Sequence, residues 1–227
     1  MRSHLDAELR ETEEYLAQMA DLVTGALAQA GEALLTTDLD LAQAVIGSDS
    51  RLDMMQREVE ERCLSLLLLQ QPVATDLRVV LSSLRISMTL ERMGDLAAHL
   101  ATVARSRFPA PAIPEAARGV VAGMIEAAVH VSEQVRELLR SRDLDLAAMI
   151  ERDDDVLDNL RDELYQIVLD STWAGSAQNT MDITLTGRYL ERFGDHGVSI
   201  SRRIEFLVTG DIYSGESSVT LAGDEVR

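Results

Sequence analysis

The sequence contains one short acidic phrase twice. The pattern Glu-Arg-x-Gly-Asp occupies residues 91–95 and, 100 positions later, residues 191–195. If both copies are helical, the glutamate and the aspartate of each lie one turn apart on the same face, where like charges repel each other by a few tenths of a kcal/mol. A cation held between the two carboxylates would remove this repulsion. The repeated phrase therefore indicates a cation-binding function.

A further acidic pair precedes each copy of the phrase. Asp49 and Asp53 come before the first copy. At an offset of 105 positions, Asp154 and Asp158 come before the second. Hard metal ions prefer oxygen ligands, and two such pairs on adjacent helices would supply four carboxylates. The candidate site residues are Asp49, Asp53, Glu91 and Asp95 in the first half and Asp154, Asp158, Glu191 and Asp195 in the second.

Arginine side chains offer these acids an alternative partner. The arginines near them in the sequence are Arg78, Arg85, Arg92, Arg188 and Arg192. In this interpretation the acids form ion pairs on a structural helical scaffold that self-associates, and no metal is needed. Gly94 and Gly194 favour the metal interpretation, because each costs a helix about 1 kcal/mol relative to alanine and is best explained by close approach of a backbone or a ligand.

The sequence lacks the common catalytic motifs. It has no glycine-rich phosphate loop, no Gly-x-Ser-x-Gly elbow and no His-Glu-x-x-His zinc motif. The Glu-x-x-His pair of ferritin-like di-iron proteins is also absent. His196 is the one histidine that could add a ligand, although its counterpart in the first copy is Leu96. We therefore predict that the chain is not an enzyme, with a carboxylate-bridged metalloenzyme, a hydrolase or oxidase, as the alternative.

The charge of the chain limits its partners. The 227 residues carry a net charge of -18, which would repel nucleic acid and anionic lipid. No apolar stretch is long enough to cross a bilayer, and the N-terminus lacks the apolar stretch of a signal peptide. These observations predict a cytoplasmic protein that binds no nucleic acid and does not insert into a membrane. The single cysteine, Cys63, is predicted to be buried and inert.

The elements that must position the acids are helices. Prolines occur only at positions 72, 109, 111 and 114, and the stretches between them are rich in strong helix formers. Glu91 and Asp95 continue an apolar stripe, which places them on a face that meets neighbouring helices. Two such stripes recur at helical spacing: Ala42, Val45, Leu52, Val59, Cys63 and Leu66, followed by Leu77, Leu81, Leu84 and Met88.

These signals predict an all-α protein of two tandem three-helix bundles related by internal duplication. The expected helices cover residues 6–35, 38–70 and 73–106, and then 114–141, 143–171 and 177–209. Asp38 and Asp143 open a second repeated phrase, Asp-Leu-Asp-Leu-Ala, and are predicted N-caps. The expected domains are a first bundle at 1–108, a second bundle at 114–210 and a flexible C-terminal tail at 211–227.

The combined pattern resembles the PhoU family of phosphate-uptake regulators. Two Glu-Arg-x-Gly-Asp phrases, each preceded by an Asp-x-x-x-Asp pair, look like the motifs of that family. Residues 70–78, Gln-Gln-Pro-Val-Ala-Thr-Asp-Leu-Arg, look like its connector between the second and third helices. The similarity extends over about residues 6–210. It implies the PhoU-like fold of two three-helix bundles.

The resemblance also implies a function. Proteins similar to this one negatively regulate phosphate uptake and the phosphate regulon, as cytoplasmic adaptors between the ATPase subunit of the phosphate ABC transporter and a PhoR-like sensor histidine kinase. A homodimer is also compatible with this interpretation. The resemblance further implies that the eight carboxylates named above bind a divalent or trivalent metal, for which iron, zinc, manganese and magnesium are all chemically admissible.

The second half departs from the family pattern in its connector. Residues 171–175, Ser-Thr-Trp-Ala-Gly, stand where the first half has Gln-Gln-Pro. The two acidic motifs of the second half are also five residues closer together than those of the first. The two sites therefore need not be equivalent.

Overall fold

Six long helices make up most of the protein. The computed structural model describes residues 2–211, with side chains from His4 onward. The helices are α1 (Arg2–Thr36), α2 (Leu39–Gln70), α3 (Thr75–Arg107), α4 (Glu115–Ser141), α5 (Leu144–Leu169) and α6 (Ala177–Thr209). All six lie within a few residues of their predicted ranges. The tail predicted at 211–227 falls, apart from Asp211, outside the described residues. None of the helices within residues 2–211 is long and apolar enough to cross a membrane.

Two of the helices begin at the predicted side-chain caps. Asp38 Oδ1 accepts a hydrogen bond of 2.9 Å from the backbone N–H of Leu41. Asp143 Oδ1 accepts one of 2.9 Å from the backbone N–H of Asp145. Each carboxylate satisfies an amide at the helix start that has no partner within the helix. Both N-cap predictions are confirmed, and these caps fix where the acid-bearing helices α2 and α5 begin.

The helices pack as two bundles of three. Helices α1, α2 and α3 contact one another, as do α4, α5 and α6. The bundles are joined by α3 packing on α6 and by α1 packing on α4, whereas α2 and α5 contact only helices of their own half. Buried side chains from all six helices form one continuous hydrophobic core. The predicted all-α class is confirmed.

Specific polar contacts also connect the bundles. Between α3 and α6, the Arg107 guanidinium donates to both carboxylate oxygens of Asp182, at 2.5 and 3.1 Å. Between α1 and α4, the hydroxyl oxygens of Thr24 and Ser132 are hydrogen-bonded at 2.8 Å. These contacts set how the two bundles are aligned against each other, because a buried polar group is stable only when it is hydrogen-bonded to its partner.

The apolar stripe predicted on α3 is wrong in part. Leu81 and Met88 are exposed, and Leu77 and Leu84 are only half-buried. Helix α3 packs against α1, α2 and α6 together, so it buries most of its circumference, including small polar residues that a hydrophobicity pattern assigns to the surface. The acids that continue this stripe therefore lie at the rim of the helix packing. The α2 stripe from Ala42 to Leu66 is buried as predicted.

Candidate metal centre

In the first half, three predicted ligands converge. Asp53 of α2 and Glu91 and Asp95 of α3 each present a carboxylate oxygen, and these three oxygens lie within 4.8 Å of one another. All three side chains are half-buried. The close packing of α2 on α3 produces this convergence, since Gly94 leaves room for the Leu52 side chain, which a Cβ at position 94 would overlap.

Negative charge dominates the electrostatics of this group, although Arg92 acts to lower the pKa of Glu91 and His99 that of Asp49. Burial raises the pKa of Asp49 above its ordinary value, and the neighbouring charges of Asp95 and Asp53 raise it further. Burial likewise raises the pKa of Glu91, with Asp95 again the largest neighbouring contribution. Among residues 2–211, no basic group forms an ion pair within 4.0 Å of any of these four acids. Within the described residues the group therefore has no basic side chain in direct ion-pair contact.

Two acids of the second half, Asp158 and Glu191, have such a cation in contact, whereas Asp154 and Asp195 form no ion pair among the described residues. Arg161 of α5 donates from Nη1 to Glu191 of α6 at 3.0 Å and to Asp158 at 2.8 Å. Arg188, one turn before Glu191 on α6, donates to both of its carboxylate oxygens. The Glu191 side chain is 9% exposed, so these charge-assisted hydrogen bonds compensate a carboxylate that has little access to water.

Asp154 of α5 also belongs to this second group, and its carboxylate lies against Gly194 of α6. A Cβ at position 194 would overlap the Asp154 carboxylate and the Leu157 side chain, so the glycine is what allows α5 and α6 to approach here. Burial raises the pKa of Asp154 to about 7, and the charges of Asp195 and Asp158 add to the effect. Both glycines permit close approach beside the acids, but the approaching groups are neighbouring side chains rather than the expected backbone or ligand.

Arg161 was not among the arginines identified from the sequence, all of which lie on α3 and α6. Arg161 lies on α5, three residues after Asp158. That spacing places it on the same helix face as the aspartate, and this signal could have identified it. Arg188 was among the arginines considered, and it does pair with a predicted ligand. His196 lies outside the three-carboxylate group found among the described residues.

The two groups differ in how well they suit a metal. The first offers three converging hard oxygen donors, none of them in ion-pair contact with a basic group among the described residues. Magnesium, manganese, iron or zinc accepts such a donor set. In the second, guanidinium groups already occupy the carboxylate oxygens of Glu191. The donor atoms of the first group fit a metal ion, whereas in the second group a metal ion would find Glu191 and Asp158 already paired with arginine.

Comparison with known proteins decides the family. The family model described as the PhoU domain matches this chain twice, over residues 16–104 and 121–204. The chain belongs to the PhoU family. Each match spans parts of three consecutive helices, so the predicted internal duplication corresponds to two PhoU domains in tandem.

Curated PhoU relatives match over most of their length. The chain is 38% identical over 210 residues to the "Phosphate-specific transport system accessory protein PhoU homolog 2" of Mycobacterium tuberculosis, covering 92% of this chain and 99% of the relative. It is 29% identical over 212 residues to the PhoU homologue of Synechocystis, covering 92% and 93% of the two chains.

Two crystal structures share the fold. PhoU from Pseudomonas aeruginosa superposes with a TM-score of 0.80 at 27% identity, covering 91% of this chain and 99% of that one. The phosphate transport system regulatory protein PhoU from Streptococcus pneumoniae gives a TM-score of 0.83 at 25% identity, covering 92% and 99%. This chain is thus a PhoU regulatory or accessory protein of phosphate transport. Because the family is non-enzymatic, the family assignment does not support the metalloenzyme alternative.

Proposed function

We propose that this PhoU protein is a cytoplasmic, metal-binding helical adaptor that negatively regulates phosphate uptake and the phosphate regulon. It would link the ATPase subunit of the phosphate ABC transporter to a PhoR-like sensor histidine kinase. Membership of the PhoU family supports the regulatory role, and relatives bear the name of phosphate-specific transport system accessory proteins. The acidic charge of the chain, -18, makes protein surfaces with basic patches the suitable partners.

One observation carries the metal-binding part of the proposal. The oxygens of Asp53, Glu91 and Asp95 converge within 4.8 Å and have no ion-pair partner among the described residues. Asp49, one turn before Asp53 on α2, is placed to add a fourth carboxylate. A bound cation would neutralise these groups and hold α2 against α3 through ligands from both helices. The surface shown to a partner would then depend on whether the metal is bound.

The domain boundaries are part of the same proposal. We place a first regulatory unit at 1–108 and a second at 114–210, separated by the proline-rich connector that follows Phe108. The acids of the first site belong to the first unit and those of the second site to the second. Each unit therefore carries its own acidic group between its second and third helices.

Metal analysis tests the binding proposal. Purified protein is stripped with chelator, incubated in turn with Mg²⁺, Mn²⁺, Zn²⁺ and Fe²⁺, and desalted, and the bound metal is measured by mass spectrometry. We expect one of these ions to be retained by the wild type and lost in the Asp53→Asn/Glu91→Gln/Asp95→Asn variant. The matched control, Asp6→Asn/Glu14→Gln/Glu32→Gln, removes three exposed acids of α1 and should retain the metal.

A pull-down tests the adaptor role. Tagged protein is recovered from phosphate-replete cells with and without chelator, and the bound proteins are identified by mass spectrometry. We expect the transporter ATPase, the sensor kinase or both, in amounts that fall when chelator is present. Recovery of neither protein under either condition would contradict the adaptor role while leaving metal binding intact.

A further inference from the structure

The two acidic groups differ at the positions that flank the acids. When the α5 acids are aligned with those of α2, Arg161 falls on Gln56. When the α6 phrase is aligned with that of α3, Arg188 falls on Met88. The two arginines that pair with Glu191 therefore have uncharged counterparts in the first half. The duplication has kept all eight acids and changed the residues that could neutralise them.

Arg161 occupies a bridging position in the second half. Its Nη1 atom lies 3.0 Å from Glu191 on α6 and 2.8 Å from Asp158 on its own helix, α5. A metal ion that bridged α5 and α6 through Asp158 and Glu191 would compete with Arg161 for these same carboxylates. Arg161 is also held from the other side, because its Nε and Nη2 atoms donate to Asp162 at 3.1 and 2.9 Å. The guanidinium is thus fixed between the two helices.

Arg188 reinforces this arrangement from α6. It donates to both carboxylate oxygens of Glu191, so each oxygen of that carboxylate already has a charged donor. A metal ion entering here would have to displace two guanidinium groups and would then sit beside the charges it displaced. The Arg161 side chain is 22% exposed and that of Arg188 54%, and charge-assisted hydrogen bonds are stronger than neutral ones, so a divalent ion must compete with both for Glu191.

We propose that this PhoU protein binds metal only between α2 and α3, and that Arg161 and Arg188 act as the permanent cation of the second acidic group. This inference rests on the proposed metal binding of the first group. Its consequence is functional asymmetry: the packing of α2 on α3 responds to metal, whereas the packing of α5 on α6 does not. Only the first half can then act as the metal-dependent part of the adaptor.

The first test measures metal stoichiometry. We expect wild-type protein to bind one equivalent, lost in Asp95→Asn and retained in Asp195→Asn. The variant Arg161→Gln/Arg188→Met gives the second half the flanking residues of the first and should bind two equivalents. Its second equivalent should disappear when Asp195→Asn is added. Circular dichroism and the Tm of each variant establish that it is folded before the metal content is compared.

The reciprocal swap provides a second, independent variant. Gln56→Arg/Met88→Arg introduces the two arginines into the first half, where Met88 is 49% exposed and Gln56 half-buried, so both longer side chains can be accommodated. We expect the affinity of the first site to fall at least tenfold, measured by calorimetric titration with the metal that the wild type retains. A charge-matched control, Gln18→Arg/Gln43→Arg, places the same charges at exposed positions and should leave the affinity within twofold.

The outcomes separate this inference from the proposed function. Wild-type protein that binds no metal at all overturns both. Two equivalents in the wild type, removed one each by Asp95→Asn and Asp195→Asn, overturn the asymmetry alone and leave metal binding in place. A folded Arg161→Gln/Arg188→Met variant that still binds one equivalent overturns the role assigned to the arginines.

Discussion

At the scale of single residues, the environment of each carboxylate decides its chemistry. Glu91 and Glu191 occupy equivalent positions in the two copies of one phrase. Glu91 is half-buried beside other acids, and burial raises its pKa. Glu191 is buried further and is held by Arg161 and Arg188. The same residue type thus serves as a candidate ligand in one half and as an ion-pair partner in the other.

The glycine of the second phrase is expected to be required for packing. In Gly194→Ala the added Cβ would overlap the Asp154 carboxylate and Leu157, so we expect a loss of about 1–3 kcal/mol in the free energy of unfolding. Gly119→Ala is the matched control. Its Cβ would point into open space on α4, and it should stabilise the protein by up to about 1 kcal/mol. Urea unfolding measures both values; equal effects would contradict the close approach of α5 and α6.

The buried cysteine gives a pH-dependent prediction. Cys63 is 0% exposed and burial raises its pKa from 9.0 to about 11, so the thiol should resist modification until the protein unfolds. Because the unfolded chain loses the thiol proton first, the stability owed to the neutral thiol declines as the pH rises from about 9 to about 11. The stability advantage of wild type over Cys63→Ala should therefore shrink over this range. Rapid labelling of the native protein by a thiol reagent at pH 8 would argue against burial.

At the scale of elements, the helix starts place the acids. The N-cap of α2 determines where that helix begins, and the helical repeat then carries Asp49 and Asp53 to the side that meets α3. The N-cap of α5 does the same for Asp154 and Asp158. Two capping aspartates thus set the register of both acidic groups.

Removal of one cap measures its contribution. Asp38→Ala leaves the Leu41 amide without its acceptor, and we expect a loss of about 1 kcal/mol in the free energy of unfolding. Asp40→Ala removes an equal charge from the same first turn without removing a cap, so its effect should be only a few tenths of a kcal/mol. Both are measured by urea unfolding, and equal losses would mean that charge rather than capping stabilises this end.

At the scale of the whole molecule, the bundles share a core. Apolar side chains of all six helices are continuous, and α3 and α6 pack together along the junction of the halves. A shared interface of this kind couples the unfolding of one half to that of the other. The two PhoU domains should therefore behave as one cooperative unit.

The single tryptophan makes this cooperativity measurable. Trp173 lies in the second half, so its fluorescence reports on that half, whereas far-UV circular dichroism reports on every helix. We expect the two signals to give the same urea midpoint. A fluorescence midpoint that differs from the circular dichroism midpoint would show that the halves unfold separately.

The ion pair between α3 and α6 should contribute to this coupling. Asp182 is almost fully buried, so Arg107→Leu would leave its carboxylate with Gln178, at 3.0 Å, as the one side-chain donor among the described residues. We expect a loss of up to about 3 kcal/mol. Adding Asp182→Leu removes the unpaired charge and should recover part of the loss, as a double-mutant cycle would measure. No recovery would indicate that the pair contributes through packing alone.

The sequence by itself determined the helices, the N-caps of α2 and α5, and the duplication. These features depend on local signals: helical spacing of apolar residues, proline positions, aspartates at helix starts and a repeated phrase. It also identified all the acids of both groups as candidates. It failed on the buried face of α3, because burial of Ser82, Ser83 and Ser87 depends on three neighbouring helices rather than on the hydrophobicity of α3 itself.

Only the tertiary structure decided which acids stand together and which are already paired. Asp53 reaches Glu91 and Asp95 because α2 packs closely on α3. Arg161 reaches Glu191 because α5 packs closely on α6. Both are contacts between residues distant in the chain, and their distances depend on how whole helices pack. Sequence repetition predicted two acidic sites that need not be equivalent, and helix packing distinguished a carboxylate group without an ion pair from one in which arginines hold Glu191 and Asp158.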